Sequence, residues 1–121
     1  MKTLELLNIG SNILRFKGIR SHQLDSELIL SKILKKPREK ILINLDKNIT
    51  LKESFSFRRF IERRLKREPI AYLLGEKEFW SKSFIVNKDT LIPRPETELM
   101  IDKIVKIYEN KRINILDIGT G

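Results

Sequence analysis

The spacing of apolar residues changes at Gly75, and this change most constrains what the chain can fold into. Before Gly75 the apolar residues recur three and four positions apart, as on one face of a helix. From residue 79 to residue 86 they flank a short polar stretch, as in a hairpin of two short strands. The chain is therefore expected to contain a helical module and then a module that begins with strands.

Four or five short helices are expected in residues 1–74, packed as a small bundle. The first helix should span residues 3–17, with Thr3 as its cap and Gly18 just beyond its end. Thr50 and Glu53 have the spacing of a capping box at the start of a later helix that should run to about residue 67. We expect the inward-facing side chains of that later helix to be Leu51, Phe55, Ile61 and Leu65.

Residues 75–92 are predicted to form a β-hairpin linker, and residues 93–121 the beginning of a second domain. No Asn-Gly or Asp-Gly marks the turn, so the sequence leaves the turn type open. Pro95 suits the first turn of a helix that should reach about residue 110, and residues 113–116 are interpreted as a buried strand. The fold class expected is therefore mainly α, with one helix and one strand after the hairpin.

Positive charge is concentrated in the first part of the chain. Residues 1–68 hold 17 Lys and Arg against 8 Asp and Glu, a net charge of +9, whereas residues 69–121 hold 8 of each. This asymmetry favours an acidic partner for the helical module, although an ordinary solvated surface rich in lysine explains it equally well.

Basic residues are densest on the helix that follows Thr50. At helical spacing Arg59, Arg63 and Arg67 share one face, and these three are the candidates for docking an acidic partner or RNA phosphates. The alternative is a solvated face whose arginines pair with neighbouring glutamates.

Several classes of protein are excluded by composition. The chain has no cysteine, which rules out disulfides and thiolate chemistry, and its single histidine, His22, lacks partners at metal-ligand spacing. No run of apolar residues is long enough for a transmembrane helix, and the N-terminus lacks the pattern of a secretory signal. We therefore expect a cytoplasmic protein with no metal site and no membrane segment.

Two short motifs in the second module carry chemical information. An apolar stretch runs into Asp117-Ile118-Gly119-Thr120-Gly121, a loop more typical of S-adenosylmethionine-dependent methyltransferases than of dinucleotide enzymes. An ordinary strand-to-turn junction is an equally good interpretation of that loop alone. Upstream, Arg94 is suited to hold a carboxylate and Glu96 to accept a hydrogen bond, unless they only cap a helix.

Taken in order, these motifs resemble the release-factor glutamine N5-methyltransferase family. The resemblance rests on the strings REPIAYLLG at 67–75, EFW at 78–80, PRPETE at 93–98 and the DIGTG loop. It runs from about residue 67 to residue 121. Residues 1–66 fit less specifically, as the helical N-terminal domain of that family.

The resemblance implies a Rossmann-like catalytic domain that methylates the glutamine of a Gly-Gly-Gln motif in class 1 peptide-chain release factors. It implies that residues 1–74 recognise the release factor. It also implies that S-adenosylmethionine is bound by Asp117, Ile118, Gly119, Thr120 and Gly121.

The family's Asn-Pro-Pro-Tyr motif, which holds the substrate amide, is absent, and so is the acidic residue that holds the ribose. We therefore expect the N-terminal part of such an enzyme, with an incomplete methyltransferase domain and no catalytic residue in this chain. Such a chain is expected to be inactive alone and not to bind the cofactor tightly. The rival hypothesis is a stand-alone basic helical module that binds RNA or the ribosome.

Overall fold

A computed structural model describes all 121 residues, and the chain divides into two compact units, Met1–Leu74 and Gly75–Gly121. The helices of the first unit are Thr3–Phe16 (α1), His22–Leu34 (α2), Arg38–Leu42 (α3), Leu51–Leu65 (α4) and Ile70–Leu74 (α5). The second unit contains Glu76–Phe79 (β1), Lys82–Ile85 (β2) and Pro95–Tyr108 (α6). The mainly α fold expected from the spacing of apolar residues is confirmed. None of the six helices has both the length and the apolar composition needed to cross a membrane.

The core of the first unit forms where α1, α2 and α4 pack together. Leu14, Ile29 and Phe57, one residue from each helix, are fully buried. Gly10 lets these helices come close, because a Cβ atom there would lie 2.5 Å from Cζ of Phe57 and 2.9 Å from Oγ of Ser26. The absence of a side chain at Gly10 is therefore part of how the core is packed.

The inward face of α4 differs from the expected one. Leu51 and Phe55 are 91% and 65% exposed, so their expected burial was wrong, whereas Ile61 is buried as expected. Phe57 takes the inward position instead. Phe57 and Ile61 are four residues apart and share a face, whereas a residue two positions from Phe57 points roughly 200° away around the helix.

The two helix starts that were expected to be capped by threonine differ from one another. The Thr50 hydroxyl accepts from the Glu53 amide at 3.2 Å, and the Thr50 amide donates to the Glu53 carboxylate at 2.8 Å, which confirms the capping box. The expected cap at Thr3 was wrong, because the cap of α1 is Lys2. Thr3 is buried instead, and its hydroxyl donates to the Lys47 carbonyl at 2.9 Å. That carbonyl is 44 residues away, so only the tertiary fold supplies it.

A two-residue turn joins the antiparallel strands β1 and β2, which pair from Glu76 with Ile85 to Phe79 with Lys82. The turn residues Trp80 and Ser81 have φ angles of +49° and +60°. Positive φ at both central positions defines a type I′ turn, which settles the turn type that the sequence left open.

The strand expected at residues 113–116 does not form. These residues are irregular and exposed, as are all residues from 111 to 121. A strand needs a neighbour that completes its backbone hydrogen bonds, and β1 and β2 pair only with each other. The expectation of a buried strand was therefore wrong, because its apolar residues have no sheet against which to pack.

Candidate functional site

The expected cofactor loop, residues 117–121, is exposed and irregular, with a bend at residues 118 and 119. Gly119 and Gly121 have φ angles of +77° and +81°, a backbone region that glycine adopts without strain. A Cβ atom placed on either glycine would meet nothing within 4 Å. The backbone of the loop is therefore open to a ligand, with the carboxylate of Asp117 exposed beside it.

The Pro-rich segment before α6 starts that helix as expected. Arg94 is the N-cap, Pro95 occupies the first turn, and Glu96 lies where the helix dipole favours a carboxylate. Arg94 and Glu96 are both exposed. No hydrogen bond or ion pair joins either of them to the residues of the loop.

Two acidic residues of α6 hold Trp80, a connection that the sequence analysis missed. The Trp80 amide donates to the Glu98 carboxylate, and the indole Nε1 donates to Asp102 Oδ1 at 2.9 Å. Glu98 and Asp102 are four residues apart and therefore lie on one side of α6. This spacing of acidic residues was the signal in the sequence. The result is that the hairpin turn and α6 are tied together within the second unit.

The exposed Arg63 is one of the three docking candidates, and it forms a bidentate pair with Glu68. Its Nε and Nη2 donate to the two carboxylate oxygens at 2.9 and 2.6 Å. This hydrogen bonding raises the pKa of the Arg63 guanidinium and lowers the pKa of the Glu68 carboxyl. The guanidinium also lies 5.4 Å from the centre of the Phe60 ring, within the range of a cation–π contact.

The other two docking candidates differ in their contacts. Arg67 donates from Nη2 to the Lys17 carbonyl at 3.0 Å, which ties the end of α4 to the end of α1. Arg59 makes no hydrogen bond or ion pair. The side chains of Arg59 and Arg67 are both exposed. The three arginines are therefore all accessible, but only Arg59 is uncommitted.

Arg64, in the same basic run, has a structural position that the sequence analysis missed. Its side chain is only 16% exposed, and it pairs with the buried Asp25 of α2 at 2.8 Å. Phe57, Ile61 and Arg64 are spaced four and three residues apart, so they share the inward face of α4. That spacing was the available signal, and it separates Arg64 from the exposed arginines next to it.

Comparisons with known proteins match most of the chain. A family model described as the PrmC N-terminal domain matches residues 5–75. A bifunctional methyltransferase of Rickettsia felis is 46% identical over 101 residues, which are 84% of this chain and 19% of the relative. A release factor glutamine methyltransferase of Coxiella burnetii is 41% identical over 103 residues, covering 84% and 37% of the two chains.

A second release factor glutamine methyltransferase, of Buchnera aphidicola subsp. Acyrthosiphon pisum, is 38% identical over 113 residues. The match covers 93% of this chain and 41% of that relative. The chain thus spans between a fifth and two fifths of the length of the curated relatives that it matches.

Proposed function

Because the chain belongs to the PrmC N-terminal domain family, we propose that it is the N-terminal part of a methyltransferase acting on peptide-chain release factors. The reaction proposed is transfer of a methyl group from S-adenosylmethionine to the glutamine amide of a Gly-Gly-Gln motif in a class 1 release factor. The observation that carries the proposal is the family match over residues 5–75, followed in the same chain by the DIGTG loop. The names of the Coxiella and Buchnera relatives support the choice of substrate.

In this proposal the first unit recognises the release factor. Its residues up to 68 carry the entire net charge of +9, and residues 69–74 add none. A surface of one sign accelerates the encounter with a partner of opposite sign and helps to orient it. The proposed role of the first unit is therefore docking, separate from the chemical step.

The proposed docking surface consists of Arg59 and Arg63 on α4 and of Arg67, which lies beyond the helix end at Leu65 with a φ angle of +65° and so is not on the helix face expected from spacing. Arg59 is free to bind a carboxylate directly. Arg63 and Arg67 use some of their nitrogens within the unit, on Glu68 and on the Lys17 carbonyl, which holds their side chains in place. Each still has a guanidinium nitrogen without a partner, and a guanidinium already held in place loses less entropy on binding.

The proposed cofactor site is the loop that consists of Asp117, Ile118, Gly119, Thr120 and Gly121. Its residues fit S-adenosylmethionine, because the two glycines leave space beside an accessible backbone and Asp117 supplies a hydrogen-bond acceptor. S-adenosylmethionine would supply an electrophilic methyl group. We expect weak binding by this chain, since the loop is irregular and binding must pay to order it. A calorimetric titration that gives micromolar affinity would contradict this expectation.

Arg94 and Glu96 are proposed to contact the substrate or to line its pocket. Both are exposed at the start of α6, where the helix keeps their backbones in a defined position. Arg94 offers donors to a carboxylate, and Glu96 offers an acceptor to an amine or hydroxyl. Neither is proposed as a catalytic residue.

The docking role is tested by titrating a purified class 1 release factor into the chain. Arg59→Glu should weaken binding at least about fivefold at low salt, since it reverses a charge on the docking surface. Arg20→Glu is the matched control, because it reverses one exposed arginine of the same unit outside α4. A short Gly-Gly-Gln peptide should bind the wild type and Arg59→Glu equally weakly.

Two outcomes would overturn the docking role. One is equal binding of the release factor by Arg59→Glu and by the wild type. The other is the absence of release-factor binding together with tight binding of generic RNA, which would support the alternative of a basic RNA-binding module.

A further inference from the structure

A pocket of about 360 Å³ lies where the end of α2, the helix α3 and the segment after α3 meet. Its lining includes four lysines, and no Asp or Glu side chain contributes to it. These four residues, here called the lysine pocket, are Lys35, Lys36, Lys40 and Lys47. A cavity lined by several cations and by no carboxylate is suited to an anion.

The backbone that carries two of these lysines is held by hydrogen bonds from side chains and backbone groups of the first unit. The Ser31 hydroxyl donates to the Lys36 carbonyl at 2.6 Å, and the Lys36 amide donates to the Ser31 carbonyl at 3.2 Å. The Thr3 amide and hydroxyl both donate to the Lys47 carbonyl at 2.9 Å. The backbone at Lys36 and Lys47 is therefore already ordered, so binding a ligand does not have to order it.

The positive charges of the lysine pocket act on one another. A side-chain hydrogen bond with Lys47, and then the positive charge of that ammonium, lower the pKa of Lys36. Glu53 also interacts electrostatically with both lysines, but it is a single carboxylate beside the four lysines of the pocket. An anion bound between Lys36 and Lys47 would relieve their repulsion.

We propose that the lysine pocket binds a multiply charged phosphate group. Lysine ammonium groups bind phosphate as point charges, and adjacent phosphates present several anionic oxygens to a set of cations. The pocket is near the lower end of the range of small-molecule sites, roughly 300–1,000 Å³, which suits a compact di- or triphosphate. The same chemistry is offered by free polyphosphate and by the backbone of RNA.

The test is calorimetric titration of the 121-residue chain with tripolyphosphate and, separately, with a short single-stranded RNA at the same ionic strength. Lys36→Ala combined with Lys47→Ala should weaken binding at least about tenfold, because two charge-assisted contacts are lost. Lys17→Ala combined with Lys66→Ala removes the same charge from exposed positions outside the pocket. This control should change the affinity by less than about threefold, as expected for distant screened charges.

Each outcome bears on the proposal. Tripolyphosphate binding that depends on the pocket lysines supports a free phosphate ligand, and RNA binding with that dependence supports phosphodiester groups. Equal weakening by the control pair, or no binding of either probe, overturns the proposal. Without ligand, the pocket variant should melt no lower than the wild type, because it loses a repulsion. The variant with Lys36→Arg and Lys47→Arg should retain binding.

Discussion

Arg64 Nε donates to the Asp25 carboxylate at 2.8 Å and joins α4 to α2 through a largely buried ion pair. The pair is well supplied with hydrogen bonds. The Ser21 hydroxyl donates to the same carboxylate oxygen at 2.9 Å, and Arg64 Nη1 donates to the Glu68 carbonyl at 3.0 Å. Such a pair keeps two buried charges compensated, so the loss of one partner leaves the other unpaired.

Arg64→Met should lower the free energy of unfolding by about 3–5 kcal/mol, the usual cost of stranding a buried charge. The control is Arg63→Met, which breaks the exposed pair with Glu68 and should cost at most about 1 kcal/mol. Urea denaturation followed by circular dichroism measures both. The double variant Asp25→Leu with Arg64→Met should recover part of the loss, and further destabilisation would count against this account.

Thr50→Ala should lower the free energy of unfolding by about 1 kcal/mol at neutral pH, because it removes a helix cap. The cap also makes the free energy of unfolding depend on pH in the acidic range. Hydrogen bonds from the Thr50 amide and hydroxyl lower the pKa of the Glu53 carboxyl below its ordinary 4.5. The contribution of ionised Glu53 to the free energy of unfolding is therefore fully present above pH 4.5 and is lost as the pH falls through the lowered pKa.

Urea titrations over a series of acidic pH values test this dependence. Wild-type stability should fall in the window below pH 4.5, and the fall should be smaller in Thr50→Ala. Glu62→Gln, on the same helix but outside the cap, should leave the wild-type dependence in place. Identical acid profiles for the wild type and Thr50→Ala would rule out the Thr50 hydroxyl as its cause, since alanine keeps the amide that donates to Glu53.

Gly10→Ala should be destabilising, although alanine in a helix is more favourable than glycine by about 1 kcal/mol. The added methyl group would lie 2.5 Å from Cζ of Phe57, which is only 1% exposed, so the Phe57 ring would have to shift from its packed position. Overpacking of this kind typically costs about 1–3 kcal/mol. Thermal unfolding should show a lower midpoint for Gly10→Ala, and combining it with Phe57→Leu should cost less than the sum of the single changes.

Ser81→Gly should stabilise the hairpin, because Ser81 adopts φ +60° in the type I′ turn and glycine does so without strain. Slower hydrogen exchange of the β1 and β2 amides, measured by NMR, is the expected result. Trp80→Phe should act in the opposite direction, because it removes the indole bond to Asp102. Ser83→Gly, within β2 rather than in the turn, is the control and should speed exchange.

The candidate sites were predictable from sequence to different degrees. The helix start at Arg94 and Pro95 formed as expected, because it depends on residues adjacent in the chain. The docking role of Arg59 stays a prediction, and its side chain is exposed as such a role requires. The lysine pocket was not predictable, since Lys36 and Lys47 are brought together by a turn between α2 and α3 and by a contact from Thr3.

What the sequence determined by itself is the local structure. The capping box of Thr50 and Glu53 and the change from helices to a hairpin near Gly75 depend on interactions within a few residues, and both were readable. The tertiary structure decided which side chains are inside. Phe57 rather than Phe55 entered the core, and Arg64 paired with the buried Asp25, because burial depends on which helix face meets α1 and α2. Burial and ion pairing depend on contacts between residues far apart in the chain, so spacing shows which side chains share a helix face but not which face is buried.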